Sequence, residues 1–309
     1  MGSEKESPLI SCITPTFNRA HLLPRAIESS INQTYPHWEM IIVDDGSKDN
    51  TEEVVHSYME TDRRIKYFKN PGKGGNAARN YGLKQAQGEW VVFLDDDDEN
   101  LPERLEKQLY TAQKGNTEFL LSGYQTIDMQ GNILNYHIQP LGGKGAGIGI
   151  RWFIKKELIF KAGLFDETMP AMQEVELSMR IAEFYNFSFH PEVVVSARQT
   201  TTAIHQGQNG INGAIMLIEK HAEKMDVNEL AWWYYKVALG YAHLQKSLHT
   251  INYLKLAGKH DKKNKHKPAV VYYKLMGWVT LQFIHRVGAH IVKKILAKHN
   301  VNTVKHPLL

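Results

Sequence analysis

Trp90-Val91-Val92-Phe93-Leu94-Asp95-Asp96-Asp97-Asp98 is an apolar run that ends abruptly in four carboxylates. Five consecutive large hydrophobic residues fit a strand buried on both faces, as in a parallel sheet. Four adjacent carboxylates repel one another unless a cation or hydrogen bonds intervene. Hard divalent cations such as Mg²⁺ or Mn²⁺ prefer oxygen ligands and bridge them to phosphate oxygens. A solvated acidic loop is the plainer alternative. The position at the end of a buried strand favours a metal-binding group here.

Upstream, short apolar runs alternate with amphipathic stretches. Leu9–Thr14, Trp38–Val43 and Ile65–Phe68 read as strands; Leu22–Asn32, Thr51–Tyr58 and Gly75–Gln85 read as helices. Pro102–Lys114 suits a helix with proline in its first turn. This βαβ rhythm predicts an α/β fold with a largely parallel, doubly wound sheet, whose ligands lie beyond the carboxyl ends of the strands.

Downstream the rhythm changes. Phe119–Ile127 and Ile133–Gln139 flank a turn-rich Asp128–Asn132, a hairpin signal. Gly142–Gly149 is read as a glycine-rich loop or bulge, and Arg151–Ile154 as a strand. Glu174–Phe184 has helical spacing, and Phe187–Phe189 and Val193–Val195 read as short strands. Past Gln208 the spacing is helical: Ile211–Lys224, Asn228–Leu248, a basic linker at His260–Lys267, and Pro268 to about Lys298. The organisation expected is a catalytic domain over 1–205 and a helical, strongly basic region over 206–309.

Three further groups of residues point to the same end of the sheet. Thr14-Pro15-Thr16-Phe17-Asn18-Arg19 follows the first strand and Asp44-Asp45-Gly46-Ser47 follows the second. Phe17 can cover a nucleobase, and an aspartate can accept from a pyrimidine imide or amine; alone, Asp-Asp-Gly-Ser is also an ordinary turn. Gly72, Gly74 and Gly75 precede Asn76-Ala77-Ala78-Arg79-Asn80, so a helix start and the Arg79 guanidinium can meet phosphate. Gln173-Glu174-Val175-Glu176 opens a helix, where the dipole favours a carboxylate. Glu174 can serve as a general base; Glu176, two residues on, faces away. The alternative is a carboxylate that only stabilises its helix.

In this order and spacing the motifs resemble family 2 glycosyltransferases of the GT-A fold over roughly residues 8 to 200. The resemblance rests on Thr14–Arg19, Asp44–Ser47, Ala78-Arg79-Asn80-Tyr81-Gly82, Phe93–Asp98 and Gly163-Leu164-Phe165-Asp166-Glu167. It implies a GT-A, Rossmann-like sheet flanked by helices, with an α-helical C-terminal extension. It also implies an inverting transfer of a hexosyl or N-acetylhexosaminyl group from a UDP-sugar to an acceptor hydroxyl, in surface glycan or polysaccharide synthesis. By the same resemblance Thr14, Thr16 and Asp44 or Asp45 hold the base, and Arg79 sits near base or diphosphate. Asp95 and Asp97 match the DXD pair, Asp97 as main ligand of Mn²⁺ or Mg²⁺ and Asp95 nearer the ribose, with Asp96 also at the ribose. Glu174 matches the catalytic acidic position, which is usually aspartate in relatives, with Glu176 as its rival. Arg198 matches a basic position that contacts the diphosphate. A nucleotidyltransferase and a non-catalytic sugar-nucleotide binder are the competing classes; the former lacks its glycine- and basic-rich N-terminal loop here.

Charge is unevenly spread. The net charge is +4, yet His243–Leu309 holds thirteen Lys and Arg against one acid, Asp261. Val270, Val271, Leu275, Trp278, Val279, Phe283, Val287, Ile291 and Ile295 follow helical spacing among lysines. Such a helix fits an anionic membrane surface beside a lipid-linked acceptor; packing on the catalytic domain or on a homodimer partner is the alternative. No nucleic-acid motif supports a nucleic-acid partner. A single cysteine, Cys12, fits a reducing compartment. With no signal-peptide pattern at Met1–Ser7 and no apolar run of spanning length, a cytoplasmic protein, peripheral at the inner face of the membrane, is expected.

Overall fold

The strand Ile10–Thr16 (β1) sits at the middle of the parallel half of the sheet. Alternate residues serve the two faces. Ile10 and Cys12 join a cluster with Leu23, Ala26 and Ile27, whereas Ile13 packs with Ala78 and Leu83. The result is a three-layer α/β core. The computed structural model describes residues 7–139, 149–199, 207–244 and 246–260. Of the loop expected over Gly142–Gly149 only Gly149 is among them, in a 3-10 turn, and the basic helix expected over 268–298 lies outside them.

The element order begins with α1 (Leu23–Ile31), β2 (Trp38–Asp44), α2 (Thr51–Thr61), β3 (Ile65–Lys69), α3 (Gly75–Gln85) and β4 (Trp90–Phe93). β1 pairs in parallel with β2 and β4, and β2 with β3. The spatial order is therefore β3-β2-β1-β4. The chain winds outward from β1 to β3 and then returns to the opposite side of β1. That reversal puts a switch point between the carboxyl ends of β1 and β4. α3 lies close on the sheet because Gly82 has no side chain: a Cβ there would fall 2.7 Å from Ile13 Cγ2.

Beyond β4 the sheet is mixed. β5 (Glu99–Asn100), α4 (Arg104–Lys114), β6 (Phe119–Ile127), β7 (Ile133–His137), β8 (Trp152–Lys155), α5 (Lys156–Lys161), α6 (Gln173–Ile181) and β9 (Ser188–Arg198) complete the first unit. β8 is antiparallel to both β4 and β6, β7 is antiparallel to β6, and β6 runs parallel to β9. The GT-A-like sheet flanked by helices is thus present, its parallel character concentrated in the first four strands. The two short strands read at 187–195 are one strand, β9, broken in register where it passes Gly123. Pro191 has no N–H to give the ladder, which explains the reading of two pieces. β5 escapes notice because it is two polar residues long.

The chain divides into compact units at Met1–Ile204 and His205–Leu309. The second contains α7 (Gly207–His221), α8 (Val227–His243) and α9 (Ser247–His260). Asp226 caps α8 by accepting from Asn228 N and Glu229 N at 2.8 and 3.0 Å. The single helix read over 228–248 is in fact two. The Tyr241 carbonyl accepts from Lys246 N at 2.9 Å and closes α8, while the apolar spacing carries on across the break. Among the described residues no helix is long and apolar enough to cross a membrane.

Candidate active site

The four aspartates after β4 divide into two pairs. Asp96 and Asp98 are buried. Asp96 Oδ2 accepts from Thr16 Oγ1 at 2.8 Å, and Asp98 Oδ1 accepts from Arg198 N at 2.8 Å. Asp95 and Asp97 keep 42% and 17% of their side-chain surface exposed and each meets a guanidinium. Arg79 Nη2 lies 2.8 Å from Asp95 Oδ1, and Arg19 Nη1 lies 3.0 Å from Asp97 Oδ2.

Burial and mutual repulsion set the electrostatics. Burial pushes Asp96 up to about 7, with Asp97 and Asp95 adding to it against Thr16 and Arg19. Asp97 is raised by burial and by Asp95, with Arg19 opposing. Asp98 is raised well above the carboxylate range by burial and then by Asp95 and Asp97. Burial disfavours the charge on Arg79, but Asp95, Glu174 and Asp96 outweigh it and hold the guanidinium charged. A site with this excess of negative charge favours an added cation.

Helix α3 brings the acid-bearing helix to this cluster. Asn80 Nδ2 donates to Phe165 O at 2.9 Å, and its Oδ1 accepts from Phe165 N at 2.9 Å. Asn76 Nδ2 donates to Asp166 O and Met169 O at 2.9 and 3.1 Å. The two side chains pin the segment leading into α6. Met172, just before α6, has φ of +62°, a left-handed conformation that a non-glycine residue adopts at a cost. Glu174 follows in the first turn. Burial raises its carboxyl, Asp95 adds to this and Arg79 opposes it. Its Oε1 accepts from Gln173 Nε2 at 3.1 Å.

Glu176 has a different task. It is 1% exposed, and Arg180 Nη2 and Nε reach its carboxylate at 2.7, 3.0 and 3.1 Å. Arg180 also donates to the carbonyls of Ala162 and Leu164. Glu176 thereby anchors α6 to the segment after α5, whereas Glu174 stands with Arg79 and Asp95.

The other expected site residues fall around this centre. Thr16 is in it, through Asp96. Thr14 is buried within β1 on the face shared with Ile10 and Cys12, one strand repeat behind Thr16. Asp44 is committed to its own turn: Oδ1 accepts from Gly46 N, Ser47 N and Ser47 Oγ, and Oδ2 from Tyr67 Oη at 2.7 Å. Asp45 Oδ1 accepts from Asn70 Nδ2 at 2.7 Å and from Gly74 N at 2.8 Å, so it organises the glycine turn that starts α3. Phe17 is 52% exposed at the end of β1, beside Asn18, whose φ is +53°. Arg198 is buried, paired with Glu99 and donating to Asp128 O at 2.8 Å. Its place is at the β5–β9 edge.

Sequence reasoning passed over Arg19, Asn76 and Asn80, although all three lie inside quoted motifs. The signal was available for the asparagines, which are poor helix formers yet sit within α3.

The donor set suits a hard divalent cation in a limited way. Asp95 and Asp97 offer carboxylate oxygens, and among the described residues no three His, Cys, Asp or Glu side chains converge on one point. Such an ion would take most of its ligands from phosphate and water, as Mg²⁺ commonly does.

The family model for "Glycosyl transferase family 2" matches residues 11–172, more than half of the chain and all of the cluster except Glu174 and Arg198. An uncharacterized glycosyltransferase of Rickettsia bellii is 31% identical over 209 residues, 62% of this chain; the match spans only 30% of that protein's length. The GalNAc(5)-diNAcBac-PP-undecaprenol beta-1,3-glucosyltransferase of Campylobacter jejuni is 44% identical over 128 residues, 41% of each chain. Among solved structures, S. aureus TarS 1–349 in complex with UDP-GlcNAc superposes with a TM-score of 0.64 at 18% identity, covering 90% of this chain and 92% of that one. That likeness concerns the fold. With the motif order and the switch-point cluster, these matches place the chain in glycosyl transferase family 2.

Proposed function

We propose that this chain transfers a sugar, with inversion, from a UDP-sugar to an acceptor hydroxyl in cell-surface glycan synthesis. The observation that carries the reading is the convergence of Arg79 with Asp95 and Glu174 beside the switch point. A cation and two carboxylates are the groups that a displacement at a sugar phosphate calls for. The complex of TarS with UDP-GlcNAc supports the choice of donor. The likeness to the GalNAc(5)-diNAcBac-PP-undecaprenol beta-1,3-glucosyltransferase of Campylobacter jejuni supports a lipid-linked glycan acceptor.

The residues then divide the work. Arg79 pairs with the diphosphate and stabilises charge on the leaving nucleoside diphosphate. Asp95 and Asp97 hold a Mn²⁺ or Mg²⁺ ion, which when bound supplies positive charge against the same phosphates. Thr16 fixes Asp96, so that its two neighbours remain turned outward. Glu174 takes the proton from the acceptor hydroxyl. Such general-base assistance is worth about 10²–10⁴ in rate. Its raised affinity for protons, set by burial, makes it a better base than a solvated carboxylate. A single in-line displacement inverts the anomeric configuration.

Incubation with UDP-GlcNAc and Mn²⁺, with water as acceptor, tests the reading. Release of UDP is expected, with loss in Asp97→Ala and Glu174→Gln. Calorimetry with UDP and Mn²⁺ separates the two roles: Asp97→Ala loses binding and Glu174→Gln keeps it. Full release by Glu174→Gln would remove it as the base.

A further inference from the structure

Gly149, Ile150 and Arg151 form a 3-10 turn that leads into β8, and all three are buried. The turn is clamped from two elements. Arg104, fully buried on α4, donates through Nη2 to Ile150 O at 2.8 Å and to Phe93 O at 3.3 Å. Its Nη1 donates to Asn100 Oδ1 at 2.6 Å, next to the aspartate run. Gln108 Nε2 reaches Arg151 O at 3.4 Å. Arg151 donates through Nε to Ser122 O at 2.7 Å and lies over the rings of Tyr124 and Phe189. Both guanidiniums spend their N–H groups on carbonyl and amide oxygens. Burial draws Arg104 down to about 10, a measure of what its desolvation costs. Those hydrogen bonds hold the turn against α4 and β6.

The turn carries one glycine against the site. A Cβ on Gly149 would fall 2.9 Å from Glu174 Cγ and 3.5 Å from Glu174 Oε1. The backbone of Gly149 is outside the left-handed region, so its conformation does not demand glycine. The Glu174 side chain does. Cγ is the methylene by which glutamate exceeds aspartate.

We infer that Gly149, held by Arg104 and Arg151, is a positioning residue for the reaction: it leaves the space that seats the extra methylene of Glu174. The carboxylate is then set between Gln173, which donates to Oε1, and the charges of Arg79 and Asp95. The inference rests on the reading of Glu174 as the base. It accounts for a glutamate at a position where an aspartate would need no such space.

A cycle of Gly149→Ala and Glu174→Asp tests it, with kcat for UDP release from UDP-GlcNAc in Mn²⁺ and calorimetric Kd for UDP as readouts. In the wild-type background Gly149→Ala is expected to lower kcat about 10- to 100-fold, since displacement of a reacting group by about 1 Å can cost that much. The Kd for UDP stays within about 2-fold. In the Glu174→Asp background the same change alters kcat by less than about 3-fold, because the collision is gone. Equal losses in both backgrounds, or no loss in the first, would overturn the seat. Glu174→Gln with full kcat would instead overturn the base and leave the packing argument standing. If Gly149→Ala does not fold, the double variant is read: recovery of a cooperative urea transition when Glu174→Asp is added supports the collision, and its continued absence overturns it.

Discussion

The Thr16 hydroxyl donates to Asp96 Oδ2 at 2.8 Å and ties the end of β1 to the end of β4 across the switch point. The acid run is a turn, closed by Asp98 N donating to Asp95 O at 3.1 Å, in which Asp96 is held buried while Asp95 and Asp97 keep 42% and 17% of their side-chain surface exposed. Thr16→Val removes the donor and strands a buried carboxyl. A loss of about 1–3 kcal/mol in urea unfolding is expected. Weaker UDP binding in Mn²⁺ should accompany it. A variant with unchanged stability and unchanged UDP affinity would show that the contact organises nothing.

Arg79 answers both Asp95 and Glu174, so its removal should cost more than one contact. Arg79→Ala is expected to lower kcat for UDP release by about 10²–10³, the scale for losing one preorganised charge-stabilising group. Arg79→Lys should recover only part, because an ammonium cannot reproduce the planar fork that meets Asp95. The ratio of kcat between the two variants is the measurement. Full recovery by lysine would reduce Arg79 to a point charge.

Asn80 tests the link between α3 and α6. Its side chain both donates to and accepts from the backbone of Phe165 at 2.9 Å. Asn80→Ala leaves that buried peptide unpaired at an expected cost of about 1–3 kcal/mol. Hydrogen exchange should quicken at Phe165. Slow exchange there in the variant would mean that other groups hold the segment.

Glu39 supplies a pH dependence away from the site. Its carboxylate is almost wholly buried and accepts from Ser11 Oγ, Gln87 N and Lys66 Nζ at 2.7, 2.6 and 2.6 Å. Burial works to raise its pKa, but Lys66, Ser11 and Gln87 prevail and hold it below its ordinary 4.5. The folded chain therefore binds this proton less readily than the unfolded chain. The stability it contributes is present above pH 4.5 and is lost as pH falls through the lowered folded value. Wild type should exceed Glu39→Gln by about 1–3 kcal/mol at pH 7 in urea unfolding, and the gap should close in acid. A gap independent of pH would contradict the assignment.

Much of this was legible before the fold was seen. The alternation of β1, α1, β2 and α2 follows from apolar runs punctuated by polar turns, and the run Trp90–Leu94 announced a doubly buried strand. The pairing of Arg79 with Asp95 was within reach, since Asp95 lies just past β4 and Arg79 lies in the first half of α3, whose start faces the same crevice. The two roles within the acid run were not: only Thr16 and Arg198, 80 and 100 residues distant, decide which carboxylates turn inward. Helical spacing already favoured Glu174 over Glu176; the structure adds that Arg180 claims the carboxylate of the latter. Gly149 gave no local signal, because what fills its space belongs to a helix that begins more than twenty residues later.

A crystal structure with UDP and Mn²⁺ tests the central claim most directly. The account predicts the diphosphate at the carboxyl ends of β1 and β4, contacting Arg79, with the ion on Asp97 and the Glu174 carboxylate facing the outer phosphate. UDP bound elsewhere, with Arg79 still bridged to Asp95 and Asp97 bare, would contradict it.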